Sequence, residues 1–272
     1  MEALIVVSFF DFALDRFSSI LINIVLFFIS RGAAMSGHSK WATIKHKKAK
    51  EDSKRGKVFT KLVREITVAA REGGPDPDGN PRLRLILEKA KSVNMPAENI
   101  QRAIKKGSGG LDGESYTPHT YEGYGVHGTA VVIETLSDNK NRTVADLRHI
   151  FTRMGGNLAE NGAVSWMFEH KGVVRGSSAV SEDSLLEKLL EVNVDDLTKQ
   201  DESVVVTCKI PDLDSVKKAA ESAGVKIEHA QIEWIAKSTL ELNNEELEEQ
   251  VFKMLEALED LDDVQNVYTN LA

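Results

Sequence analysis

The side chains best suited to chemistry crowd into one short stretch. Residues 37–62 read GHSKWATIKHKKAKEDSKRGKVFTKL, which holds Lys40, Lys45, Lys47, Lys48, Lys50, Lys54, Arg55, Lys57 and Lys61 and no acid before Glu51. Cations at this density are suited to neutralising the phosphates of a polyanion and releasing its counterions. Trp41 and His46 lie within the run, the indole able to stack or to anchor and the imidazole to donate a further hydrogen bond. A charge run is ordinarily no more than a solvated face. The scarcity of acid and the embedded aromatic set this one apart.

The basic character continues into the next element. The spacing predicts a helix over 58–71, with Phe59, Val63, Ile66 and Ala70 on one face. Lys57, Lys61, Arg64 and Arg71 fall opposite them, so this helix is expected to bury one side and present a cationic stripe outward. The predicted nucleic-acid contacts are therefore Lys40, Trp41, Lys45, His46, Lys47, Lys48, Lys50, Lys54, Arg55, Lys57, Lys61 and Arg64.

A second candidate contact lies further along. In SDNKNRT, residues 137–143, the groups of Asp138, Asn139, Asn141 and Arg142 form a turn ahead of a helix. Asn139 or Asn141 can cap that helix, which accounts for the asparagines but not for Arg142. A contact to RNA, DNA or protein through Asn139, Asn141 and Arg142, with the nearby Tyr121 and Tyr124, is the other reading.

Other chemistries find no support. Gly123, Gly125 and Gly128 fit G-x-G-x-x-G, but a β-branched run follows where a dinucleotide site needs a helix N-terminus, so they are read as loop formers and no cofactor is expected. No phosphate-cradling G-x-x-x-x-G-K sequence is present, and the scattered histidines with the lone Cys208 give no zinc spacing. Glu259, Asp260, Asp262 and Asp263 are read as a solvated acidic cap rather than a cation site. Cys208 itself is expected to be a small buried strand residue.

The elements that must position these residues follow from periodicity and punctuation. Gly73 and Gly74 stop the first helix, Asn80 and Pro81 start a second through Val93, and a third runs from near Pro96 to Gly107. Beyond residue 112 the pattern becomes mixed: strands over 128–136, 163–168, 172–175, 203–210, 225–235 and 264–268, and helices over 143–154, 184–192, 213–223 and 244–261. The expected fold is an α+β multidomain chain: a basic three-helix domain at 35–111, then two ferredoxin-like α/β sandwiches. One of these, 112–172 with 236–272, is discontinuous and carries the other, 173–235, as an insertion; simple tandem domains are the alternative.

Charge follows the same division. The chain of 272 residues carries a formal net charge of -8. Residues 36–110 hold 18 Lys and Arg against 8 Asp and Glu, a net of +10, whereas residues 111–272 hold 14 against 31, a net of -17. Such polarity steers a polyanion to one end. Residues 1–34 are hydrophobic but broken by Asp11, Asp15, Arg16 and Asn23, and fit neither a membrane span, a secretory signal nor a transit peptide. They are read as an extension outside the fold, with Met35 as the true start. A cytoplasmic location is expected, a single cysteine agreeing with a reducing compartment.

The blocks GHSKWATIKHKKAKEDSKRGKVFTKL, GGPDPDGNPRLR, YEGYGVHGTAVVIETLSDNKNRT and LEDLDDVQNVYTN, in this order, resemble the YebC/PmpR family, which includes the mitochondrial translational activator of cytochrome oxidase. The resemblance covers residues 35 to about 270. It implies the same fold of one helical and two α/β domains, and no catalytic residues. It further implies either a DNA-binding transcriptional regulator or a ribosome-associated factor that binds RNA and relieves stalled translation. The chain departs from the pattern at LLEVNVDDL, where Asn193 and Val194 replace a run rich in alanine and glycine, and in the extension before Met35. The expected partners are thus DNA or ribosomal RNA and the ribosome, with no membrane and no small-molecule substrate.

Overall fold

The computed structural model describes Trp41, residues 55–109 and residues 115–272. From Arg55 onward the described residues begin with three helices: α1 (Arg55–Gly73), α2 (Pro81–Ser92) and α3 (Ala97–Gly107). The Asn80 side chain caps α2 by accepting the Leu83 N–H at 3.0 Å, and its amide donates to the Ala69 carbonyl at 2.8 Å, tying the turn back to α1. Leu62, Ile66, Ala70, Leu83, Ile86 and Ile100 form the centre of a small core between the three helices. At Gly107 α3 crosses α1 so closely that a Cβ there would lie 2.3 Å from the Thr67 carbonyl oxygen.

The rest is built on two four-stranded sheets. The first contains β1 (Thr117–Tyr124), β2 (Ala130–Ser137), β3 (Asn157–Ala159) and β8 (Val264–Thr269), ordered β3-β1-β2-β8 and covered by α4 (Lys140–Met154) and α7 (Glu245–Glu259). The second contains β4 (Phe168–Ser177), β5 (Val194–Gln200), β6 (Ser203–Cys208) and β7 (Lys226–Ala236), ordered β5-β6-β4-β7, with α5 (Glu182–Leu189) and α6 (Leu213–Ala223) against it. All strand pairs are antiparallel. The second sheet has the βαββαβ order of a ferredoxin-like sandwich.

The first sheet reaches the same strand arrangement by a permuted route. In chain order a ferredoxin-like unit begun at β2 runs β2, α4, β3, then lacks its third strand before α7 and β8. That strand is supplied from upstream as β1, which pairs with both β2 and β3. The inserted sheet occupies the place in the chain where it would have stood. Because β8 pairs with β2, the two α/β units are not simple tandem domains.

Some local expectations change. Thr117–Tyr124 is a strand, so Gly123 is not a loop former. It is glycine because a Cβ would sit 2.5 Å from the Phe151 ring and 2.8 Å from the Asn157 carbonyl. Gly128, at φ +79°, does belong to a turn, the left-handed region that glycine enters without penalty. Residues 165–167 form a single 3-10 turn rather than a strand, and β4 starts only at Phe168. β5 carries little signal in the sequence, because its sole buried position is Leu197, too sparse a pattern for period-two alternation to reveal.

Candidate nucleic-acid interface

Most of the cationic arm lies outside the described residues: Lys40, Lys45, His46, Lys47, Lys48, Lys50 and Lys54, and the side chain of Arg55 with them. Trp41 is placed. It is only 3% exposed and stacks on Phe252 of α7, centroids 5.9 Å apart, within the core of the first α/β unit. The indole therefore anchors the arm to the body, and its faces are closed to a base.

The stripe on α1 is a genuine stripe with an unexpected target. Lys57 Nζ donates to the Asp260 carboxylate at 3.3 Å and to its carbonyl at 3.2 Å. One turn on, Lys61 Nζ donates to the Glu259 carbonyl at 2.7 Å. Arg64 Nη1 reaches the Asp263 carboxylate at 2.8 Å, together with the carbonyls of Asp262 and Leu136. Arg71 continues the row, bonding the Tyr116 carbonyl at 2.6 Å. The outward-facing stripe expected from the sequence is thus turned inward, onto the body.

The physical reason lies at the C-terminal end of α7. The last carbonyls of a helix have no intrahelical partner and carry the negative end of its dipole, a place suited to Lys or Arg. This helix has no basic residue in its last turn and runs on into Asp260, Asp262 and Asp263. α1 supplies the missing cations. The apolar side of α1 is correspondingly double: Ile66 and Ala70 face α2 and α3, while Val68 packs with Tyr116 and Leu136 of the body. A helix buried on two sides defeats a one-face reading.

Asp263 is the centre of this arrangement and no part of a solvated cap; it is 6% exposed. One oxygen accepts from Arg64, and the other from Ser137 Oγ at 3.0 Å, Thr143 Oγ1 at 2.7 Å and Arg142 Nη2 at 2.9 Å. Burial pushes its carboxyl upward, and the hydrogen bonds from Thr143, Arg142 and Ser137 with the charge of Arg64 more than reverse this, leaving it below the ordinary range. Two sequence blocks, SDNKNRT and LEDLDD, are therefore halves of one polar cluster. The sequence groups Asp263 with three other acids as a solvated cap and gives Ser137 and Thr143 no role of their own, because nothing local marks one aspartate among several.

The same cluster accounts for the second candidate contact. Asn139 caps α4, its side chain accepting the Arg142 N–H at 3.1 Å, so the capping reading of this turn is the observed one. The Arg142 guanidinium, unexplained by capping, is shared between Asp138 at 2.6 Å and Asp263. Asn141 is exposed beside them. Tyr121 is buried within the first unit's core, whereas Tyr124 is 43% exposed at the end of β1.

The docking surface is polar rather than tightly packed. A cavity of about 310 Å³ remains between the helical unit, α7 and β7, lined by Trp41, Leu62, Glu228 and Gln265 among others. The buried amide of Gln265 has no hydrogen-bond partner among the described residues. No described helix is long and apolar enough to cross a membrane, and no cluster of potential metal ligands occurs among the described residues.

A cation-rich helical unit held by its own basic stripe against two ferredoxin-like sandwiches, one interrupted by the other, defines the architecture. Residues 39–110 match the model of the TACO1/YebC protein N-terminal domain, and residues 116–271 match that of the TACO1/YebC second and third domain. The chain belongs to this family. It is 55% identical over 239 residues, 87% of this chain and 95% of the relative, to a protein of Chlorobium chlorochromatii named "Probable transcriptional regulatory protein". A protein of Chloroherpeton thalassium with the same name is 56% identical over the same shares. A crystal structure of a conserved hypothetical protein from Aquifex aeolicus superposes with a TM-score of 0.78 at 51% identity, covering 86% of this chain and 97% of that one.

Proposed function

We infer that the chain is a non-enzymatic regulator of gene expression that grips nucleic acid by its phosphates, with DNA as the target and transcription as the process. The carrying observation is the charge polarity: a segment of net +10 joined to a body of net -17. The names of the relatives support the regulatory reading. The arm from Lys40 to Arg55 is the gripping element. Lys57, Lys61 and Arg64 act chiefly to hold the helical unit on the acidic body, and only Lys57 among them is half-exposed. The acidic remainder disfavours polyanion over most of its surface, so the complex is oriented by repulsion as well as attraction. The working compartment is the cytoplasm.

The test has two parts. Crosslinking the protein in cells and sequencing the attached nucleic acid should return promoter DNA; ribosomal RNA would transfer the same chemistry to a translation factor. Replacing Lys45, Lys47, Lys48 and Lys50 with Ala should then lower affinity and flatten its log-log dependence on salt by about one unit per lost phosphate contact. Unchanged affinity in that variant would remove the arm from the argument.

A further inference from the structure

Trp166, in the turn before β4, is 67% exposed, the most exposed large apolar side chain among the described residues. At that exposure it adds little to any core. Its polar handle is nevertheless engaged: the indole N–H donates to the Ala163 carbonyl at 3.0 Å. The Tyr124 hydroxyl donates to the same carbonyl, also at 3.0 Å. Two exposed residues therefore share one anchor, with their hydrogen-bonding groups turned toward it and 67% of Trp166 and 43% of Tyr124 open to solvent.

The turn that displays them is held by a buried charge. Glu122, 5% exposed, accepts the N–H groups of Gly162 and Val164 at 2.8 Å and of Ser165 at 2.7 Å. A carboxylate is costly to bury and is retained here with three charge-assisted hydrogen bonds directed at one surface turn. Lys237, at the end of β7, donates to the Trp166 carbonyl at 3.0 Å and brings a cation to the same spot. The result is a rigid aromatic pair, fixed from below and bordered by a positive charge.

We propose that Trp166 and Tyr124 form a stacking platform for an unpaired nucleobase, with Lys237 placed to meet its phosphate. Every base has a π-face, so stacking tolerates sequence, and rings whose donors are already occupied read no base edge. A duplex hides its base faces, so the platform selects single-stranded segments. The exposed neighbours Glu160 and Asn161 are polar, and Lys237 is the cation at this spot that meets phosphate where the Glu160 carboxylate repels it. The proposal rests on the nucleic-acid reading above and adds to it a second, strand-selective contact on the body.

Full-length protein titrated with a short oligouridylate and an RNA duplex of equal length, and with the corresponding oligothymidylate and DNA duplex, tests it. Trp166→Ala should weaken single-strand binding roughly 5- to 100-fold, Trp166→Phe should recover most of the loss, and duplex affinity should not move. In the unsubstituted protein the single strand should quench the emission that is missing from Trp166→Phe, a readout that does not depend on how the Ala variant folds. Unaltered single-strand affinity, an equal loss for the duplex, or absence of that quenching would overturn the platform while leaving phosphate binding by the arm intact. Binding of neither RNA nor DNA by the unsubstituted chain would instead sink the nucleic-acid reading and the platform with it. Loss of a protein contact in Trp166→Ala, with RNA affinity unchanged, would reassign the surface to a protein partner.

Discussion

Arg64 and Asp263, 199 residues apart in sequence, meet side chain to side chain at 2.8 Å with 11% and 8% of their side chains exposed. That pair joins the helical unit to the strand that closes the first sheet. Its surroundings decide its worth. Asp263 keeps three further donors, so removing Arg64 does not leave the carboxylate bare.

Arg64→Ala should therefore cost about 1.5–3 kcal/mol, the range for a hydrogen bond to a charged group rather than the larger figure for a stranded buried ion. Chemical denaturation would measure it. Lys57→Ala should cost about 0–1 kcal/mol, since both partners of that pair are half in solvent. The triple variant Lys57→Ala, Lys61→Ala, Arg64→Ala should undock the helical unit, seen as a larger radius of gyration in solution scattering. An unchanged radius would mean that apolar contacts alone hold the units together.

Acid should loosen the same junction. The Asp263 carboxyl is held below its ordinary range, so its contribution is fully present above the unfolded-state value near 4 and is lost as pH falls through the lower folded value. Glu122 behaves alike: burial raises its pKa, but the N–H groups of Gly162, Val164 and Ser165 prevail and lower it. Denaturation midpoints followed from neutral pH to pH 3 should fall most steeply below about pH 4. Asp263→Asn should flatten that fall, and a parallel curve for the variant would contradict the assignment.

Gly107 reports on the helical unit alone. With the Thr67 carbonyl oxygen 2.3 Å from a built Cβ and the Ala70 methyl at 2.9 Å, Gly107→Ala has no flexible neighbour to displace. The expected loss is about 1–3 kcal/mol, the usual scale of overpacking. Hydrogen exchange should show faster amides in α1 and α3 while β6 and β7 keep their protection.

Cys208 should be inert. Burial first, then the charges of Asp195 and Asp212, push its thiol up to about 11, far from thiolate at working pH. Iodoacetamide at pH 8 should label the native chain slowly and the denatured chain rapidly. Equal rates would show that β6 opens readily or that the thiol is more acidic than its surroundings imply.

Sequence alone determined the helices of the N-terminal unit, most of the strands and the division of charge, because each is written in local periodicity, caps and composition. Asn80 with Pro81, the glycines after α1 and the alternation in β2 carry their own signals. The permuted strand β1 carried almost none: Gly123 reads as a loop residue, and only packing against Phe151 explains the glycine. Tertiary structure alone decided what the α1 stripe touches. A row of lysine and arginine looks the same whether it awaits phosphate or carboxylate, and its partners, the carbonyls and acids that end α7, stand some two hundred residues away where no short-range pattern can point to them. The exposed pair Tyr124 and Trp166 is likewise a product of the fold, brought onto one carbonyl by strand pairing between segments distant in the chain.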